Sequence, residues 1–96
     1  MRIPPNMSRA LSVSPGTPQT LVGGSPTAVL PTPLTVAATP GALGTLLVEY
    51  QISESGTWIA WPAGDVATAT VYVLTGPVHA LRFTATTDDG VVEIAQ

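Results

Sequence analysis

Apolar residues recur at every second position over much of the chain from Leu34 onward, and this alternation constrains the fold more than any other feature. Its clearest stretch is 45–52, where four apolar side chains share one face while Glu49 and Gln51 lie on the other. Such a pattern is typical of a half-buried antiparallel strand. No stretch has helical periodicity over the roughly twelve residues that a stable helix needs. The sequence therefore predicts an all-β fold.

Turn-forming residues interrupt the alternation at regular intervals, at Pro40-Gly41, 53–56, 61–65, Gly76-Pro77 and 87–90. We expect 61–65 to break the ladder before pairing resumes over 68–74, and 87–90 to close a hairpin in which Gly90 supplies a positive φ. Roughly six to eight short strands at this spacing predict a small antiparallel β-sandwich, Ig-like or jelly-roll-like. A barrel is disfavoured because glycine-rich corners are missing.

The shared faces of these strands predict the core. Leu34, Val36 and Ala38 fall on one face of the first strand, and Leu81, Phe83 and Ala85 on one face of a later strand. The side chains expected to carry the core are Leu46, Val48, Tyr50, Val71, Val73, Leu81 and Phe83.

Seven of the ten prolines fall in the first third of the chain. Proline removes a backbone donor and is excluded from helix interiors and central strands. The sequence therefore predicts an extended, Pro-rich N-terminal arm over 1–33 and a β-sandwich domain over 34–96. Two strand-like pieces, 9–13 and Gln19–Val22, interrupt the arm and could pair as edge strands on the domain itself or on a neighbouring molecule.

The 96-residue chain has three Arg, no Lys and six acidic residues, for a formal net charge of −3. This balance argues against nucleic-acid binding, which needs a basic surface. No charged residue occurs between Arg9 and Glu49. Such a stretch indicates a surface that faces another protein, or else a low-charge surface covered by Thr, Ser and Pro. The chain has no Cys, no apolar run of the length that spans a membrane, and no apolar secretion signal after its first six residues.

The sequence lacks the side chains that catalysis at neutral pH usually requires, so we expect neither an enzyme nor a cofactor. His79 is the lone imidazole and reads as a packing or surface residue. Asp88-Asp89-Gly90 fits a turn better than a calcium loop, which needs more oxygen ligands than this segment offers.

Trp58 and Trp61 could stack on sugar rings together with Tyr50 and Tyr72. A spacing of three residues places the two indoles on opposite sides of a regular strand, which favours core or edge packing over a shared platform. At a strand end, the Trp61 indole can pack an edge and donate its N–H. A protein interface is the remaining alternative.

Five short motifs within residues 45–95 resemble small β-sandwich proteins of tailed bacteriophage virions. They are Val48-Glu49-Tyr50, Gly56-Thr57-Trp58, Trp61-Pro62-Ala63-Gly64, Thr75-Gly76-Pro77-Val78 and Ala80-Leu81-Arg82-Phe83-Thr84-Ala85. Proteins of this kind decorate or cement the capsid, or are appended to tail and fibre components.

The resemblance implies a capsid decoration protein that binds the major capsid protein lattice and neighbouring copies of itself, and so stabilises the head. It would be a homo-oligomer on the virion surface, made in the host cytoplasm, without nucleic-acid or membrane contacts. The partner-binding residues expected in the arm and at Trp61 are Arg2, Ile3, Pro4, Pro5, Met7, Arg9, Leu11, Val13, Leu21, Val22, Leu30 and Trp61. The alternatives are a tail or fibre module for host attachment and a carbohydrate-binding module.

Overall fold

The computed structural model describes residues 8–22, 30 and 32–95, which form eight strands. The strands are β1 (Ser8–Val13), β2 (Gln19–Val22), β3 (Leu34–Thr39), β4 (Thr45–Gln51), β5 (Trp58–Val66), β6 (Thr70–Leu74), β7 (Ala80–Thr86) and β8 (Gly90–Ala95). The described residues include no helix with the length and hydropathy that crossing a membrane requires. The predicted all-β class is confirmed.

The strands form two four-stranded antiparallel sheets. Sheet I has the order β1-β8-β3-β6, and sheet II has the order β2-β7-β4-β5. Four of the strand pairs are nested around the β4–β5 turn: β4·β5, β3·β6, β2·β7 and β1·β8. They correspond to one long hairpin that is folded over, so that two of the pairs lie in each sheet. Eight strands connected in this way make a jelly roll. Of the two predicted sandwich types, the jelly-roll arrangement is therefore the one observed.

The core lies between the sheets and follows the predicted alternation in the central strands. Leu34, Val36 and Ala38 are fully buried on the inner face of β3. Leu46 and Val48 of β4 and Leu81, Phe83 and Ala85 of β7 meet them from sheet II, and the half-buried Tyr50 packs against the same cluster. The other face of β3 and β4 is mostly polar, with the half-buried Ala37 and Leu47 as apolar exceptions, so the period predicts the buried side of these strands.

The predicted inner face of β6 is wrong. Val71 and Val73 are 65% and 47% exposed, whereas Leu74 is buried and Tyr72 packs against the core. The segment has apolar residues on both faces, so alternation cannot choose between them. Its pairing with β3 decides instead, because Tyr72 lies opposite Val36 and Leu74 opposite Leu34, whose side chains point inward.

Residues 61–64 interrupt the pairing of β4 with β5, as predicted, but they do not end the strand, because β5 runs through them as one bulged strand. Leu47 pairs with Asp65 and Glu49 with Ala60, so the four residues 61–64 lie opposite Val48 alone. Gly64 takes the positive φ of 65° that this bulge requires. The Trp61 indole N–H donates to the Gly64 carbonyl oxygen at 2.9 Å.

The predicted hairpin at 87–90 is also wrong, because β7 belongs to sheet II and β8 to sheet I. The segment passes from one sheet to the other, and the positive φ of 74° is at Thr87 rather than at Gly90. Gly90 is needed for space, since a Cβ there would lie 2.8 Å from the Leu46 side chain. The Asp88 carboxylate accepts a hydrogen bond from the Asp89 backbone N–H at 2.9 Å, which is turn chemistry.

Both strand-like pieces of the predicted arm pair on the domain itself: β1 with β8, and β2 with β7. Val13 and Leu21 are fully buried in the core, and the Leu30 backbone N–H donates to the Val78 carbonyl oxygen at 2.8 Å. The division predicted at residue 33 therefore does not separate an arm from the sandwich over 8–22. The physical reason is that the prolines lie outside both strands, so they remove no backbone donor from either ladder. Residues 1–7 of the predicted arm lie outside the described residues.

Candidate interaction surface

The outer face of sheet I is built almost entirely from small, uncharged side chains. The register places Ser8, Ala95, Thr35 and Val73 in one row across the four strands, and Ala10, Glu93, Ala37 and Val71 in the next. Ser12, Val91 and Thr39 form a third, three-residue row. Glu93 is the one ionisable residue among these outward positions. All of them are exposed or half-buried.

A shallow depression of about 360 Å³ lies on this face. Ala10, Thr35, Ala37 and Ala95 line it, together with the ionisable Arg9 and Glu93. It exists because these alanines and threonines do not fill the space above the strands. A side chain from another molecule could enter it without displacing a large group.

The outer face of sheet II has the opposite character. Glu49 and Arg82 lie directly opposite each other in the register, and the Arg82 Nε and Nη2 atoms donate to Glu49 Oε1 at 3.0 and 2.8 Å. The Arg82 guanidinium carbon also lies 4.3 Å from the centroid of the Trp58 ring. An ion pair of this exposure and a cation–π contact contribute about 1 kcal/mol or less each. These three side chains bind one another, which leaves them fewer free groups for a ligand.

The partner-binding residues predicted from the sequence fall into three groups. Val13, Leu21, Leu30 and Trp61 are buried in the chain's own core, so their side chains do not form a surface. Arg9 is exposed, and Leu11 and Val22 are half-buried. The remaining predicted residues, Arg2, Ile3, Pro4, Pro5 and Met7, lie outside the described residues. Of the predicted set, Arg9 is the residue that the structure places on the depression of sheet I.

The aromatic residues do not share a platform on which a sugar ring could stack. Trp61 is buried, and its ring meets Tyr72 edge to face with centroids 5.2 Å apart. This contact joins β5 of sheet II to β6 of sheet I and closes that side of the sandwich. Trp58 lies beneath Arg82 on the outer face of sheet II, and Tyr50 packs against the core. The predicted packing of an indole at an edge, with its N–H donated, is what the structure shows for Trp61.

The remaining candidate groups for chemistry are His79 and the acidic side chains. The His79 backbone N–H donates to the Gln51 carbonyl oxygen at 2.8 Å, and the residue is half-buried. Within the described part of the chain, no three His, Asp or Glu side chains are grouped closely enough to hold a metal ion.

Sequence reasoning missed the outer face of sheet I because it assigned Val71 and Val73 to the core. The long uncharged stretch between Arg9 and Glu49 is only a partial signal for this face. It supplies β3 and most of β1 in sheet I, but also β2 and part of β4 in sheet II.

Comparison of the chain with protein-family models, with curated proteins and with solved structures gave no match. The fold and surfaces nevertheless define a class: a small jelly-roll sandwich with one nearly uncharged outer face and one ion-paired outer face.

Proposed function

We propose that this chain is a capsid decoration or cement protein of a tailed bacteriophage, which binds the major capsid protein lattice through the outer face of sheet I. The observation that carries the proposal is the composition of that face, where Glu93 is the single ionisable residue among the outward positions of four strands. Small Ala, Ser, Thr and Val side chains lose little conformational entropy when another protein covers them. The protein would be made in the host cytoplasm and reside on the capsid surface.

The size of the face bears on how it would bind. Four strands about 4.8 Å apart and up to six residues long present roughly 20 × 20 Å, or about 400 Å². A standard protein interface buries about 800 Å² on each partner. One face is therefore about half of what a stable pairwise complex needs, and a lattice that offers several contacts to each copy supplies the rest through high effective concentration.

Residues 1–7 extend the proposed contact. They precede Ser8, which lines the depression on sheet I. Arg2, Ile3, Pro4, Pro5 and Met7 would contact the capsid or a neighbouring copy. Loss of such a tether lowers apparent affinity by about 10²-fold without unfolding the domain.

The test uses capsids of the parent phage that lack this chain, mixed with the purified full-length protein. Two variants form a matched pair: Thr35→Arg on the outer face of sheet I and Thr84→Arg on that of sheet II. Both residues are half-buried threonines in central strands, so the folding cost of the substitution is similar at the two sites. Copies bound per particle are measured by quantitative gel densitometry, and the fold of each variant by circular dichroism.

We expect Thr35→Arg to lower occupancy at least 10-fold, because a long charged side chain fills the depression, and Thr84→Arg to leave occupancy unchanged. Equal occupancy for the two variants would exclude sheet I as the capsid-binding side. A native particle that carries only a few copies of the chain would instead indicate a tail or fibre component, and the decoration proposal would then be wrong.

A further inference from the structure

The two sheets have four edge strands, β1 and β6 in sheet I and β2 and β5 in sheet II. Edge strands expose unpaired backbone groups, and proteins protect them with short length, charge, proline or bulges. β2 has four residues, β5 has the bulge at 61–64, and β1 carries the charged Arg9. β6 is also short, at five residues, but Thr70–Leu74 reads Thr-Val-Tyr-Val-Leu, so it has no charge, no proline and no bulge.

We propose that a second copy of this chain pairs antiparallel along β6, so that two sheets I become one continuous eight-stranded sheet. This inference does not depend on the proposed function. In the two-fold symmetric register Tyr72 lies opposite its own counterpart, and Val71 of each copy lies opposite Val73 of the other. A two-fold contact requires a surface that is complementary to itself, and in this register each valine lies opposite a valine.

The exposed valines support this register. Val71 and Val73 point outward from sheet I and are among the most exposed large apolar residues described. Directly opposed β-branched side chains on neighbouring strands stabilise a sheet. Pairing along β6 would cover both valines with their counterparts and satisfy the free backbone groups of the edge.

Charge also favours a second copy. Each chain has a net charge of −3, so identical surfaces that carry acidic residues repel each other. β6 is uncharged, and the nearest charge on its outer face is Glu93 on β8, two strands away. With strands about 4.8 Å apart, the two Glu93 side chains of such a dimer would be roughly 24 Å from each other, beyond the Debye length of about 10 Å at 0.1 M salt.

The edge is short, so its contact area falls below that of a standard interface and association in solution is expected to be weak. Residues 1–7 are the rival occupant. They join the sheet at Ser8 on β1, the edge opposite β6, and would have to cross the whole outer face to reach it.

The test is sedimentation velocity of the full chain from about 10 μM to 1 mM, with Val71→Lys and Val91→Lys as a matched pair. Both residues are exposed valines on the outer face of sheet I, but only Val71 lies in the edge strand. We expect the full chain to shift from monomer to dimer over this range. Val71→Lys should weaken the dimer at least 10-fold, and Val91→Lys should leave it unchanged.

Register is tested with the variants Val71→Cys and Val73→Cys, since the chain has no other cysteine. Directly opposed residues are close enough for a disulfide, so a mixture of the two variants under mild oxidation should form more cross-linked dimer than either variant alone. A wild-type chain that stays monomeric at 1 mM would overturn the proposal. So would equal weakening by both lysine variants, or a chain starting at Ser8 that dimerises 10-fold more tightly than the full chain, because residues 1–7 would then be the group that covers the edge.

Discussion

The two outer faces of the sandwich differ although the sheets share one core. Sheet I presents small uncharged side chains around a shallow depression, and sheet II presents the Arg82–Glu49 ion pair stacked on Trp58. Burial constrains the inner faces of both sheets in the same way, so the outer faces are where the two sheets can differ in function. This difference is the reason that the proposed contact with another protein is assigned to sheet I.

The edge strands β5 of sheet II and β6 of sheet I, which lie on the same side of the sandwich, also differ. β5 of sheet II has a bulge at 61–64. A bulge bends a strand and hinders pairing with a strand of another chain. β6 of sheet I is regular, and its outward valines are exposed. Trp61 and Tyr72 join these two edges from inside. Both proposals, for the outer face and for the edge, therefore concern sheet I.

We expect the largest loss of stability when one edge strand is removed from each sheet. A chain that starts at Leu34 lacks β1 and β2, and with them the buried side chains of Val13, Leu21 and Leu30. We expect it to lose its cooperative thermal transition and its β-type circular dichroism. A chain that starts at Ser8 keeps every described strand and should melt as the full chain does. A folded chain starting at Leu34 would show that the two sheets do not need their N-terminal edges.

We expect an intermediate effect on stability when the inner and outer sides of β6 are compared by substituting one residue on each. Leu74→Ala removes a buried side chain and should lower the free energy of unfolding by about 2–5 kcal/mol. Val73→Ala, one residue away and exposed, should cost less than about 1 kcal/mol. Urea unfolding of both variants measures the difference. A larger loss for Val73→Ala would mean that the inner and outer sides of β6 are reversed.

We expect the smallest effect on stability when one charged side chain is removed from the outer face of each sheet. Arg82→Ala removes the ion pair and the stacking on Trp58, and should lower the free energy of unfolding by about 1 kcal/mol. Glu93→Gln on sheet I should change it by less than about 0.5 kcal/mol. Unfolding in 1 M NaCl should reduce the Arg82→Ala effect in part, because salt screens a partly exposed ion pair. An equal cost for both variants at low salt would contradict the contrast between the faces.

The sequence by itself determined the all-β class and the buried faces of β3, β4 and β7. In those strands apolar residues alternate with mostly polar ones, so burying the apolar face costs least. It also located the turn at 53–56, where the Gly56 backbone N–H donates to the Ser53 carbonyl oxygen at 2.9 Å. These features depend on residues that are near one another along the chain.

Only the tertiary structure decided which face of β6 is buried, which strands share a sheet, and where an uncharged surface forms. β6 is apolar on both sides, so its pairing with β3 determines which side is buried. The residues at 87–90 suit a hairpin as well as a crossing between sheets, and the partners of β7 and β8 decided between them. The outer face of sheet I joins residues as distant as Ala10 and Glu93, which are neighbours only because β1 pairs with β8. Local alternation contains no information about such long-range pairing, and the candidate surface follows from it.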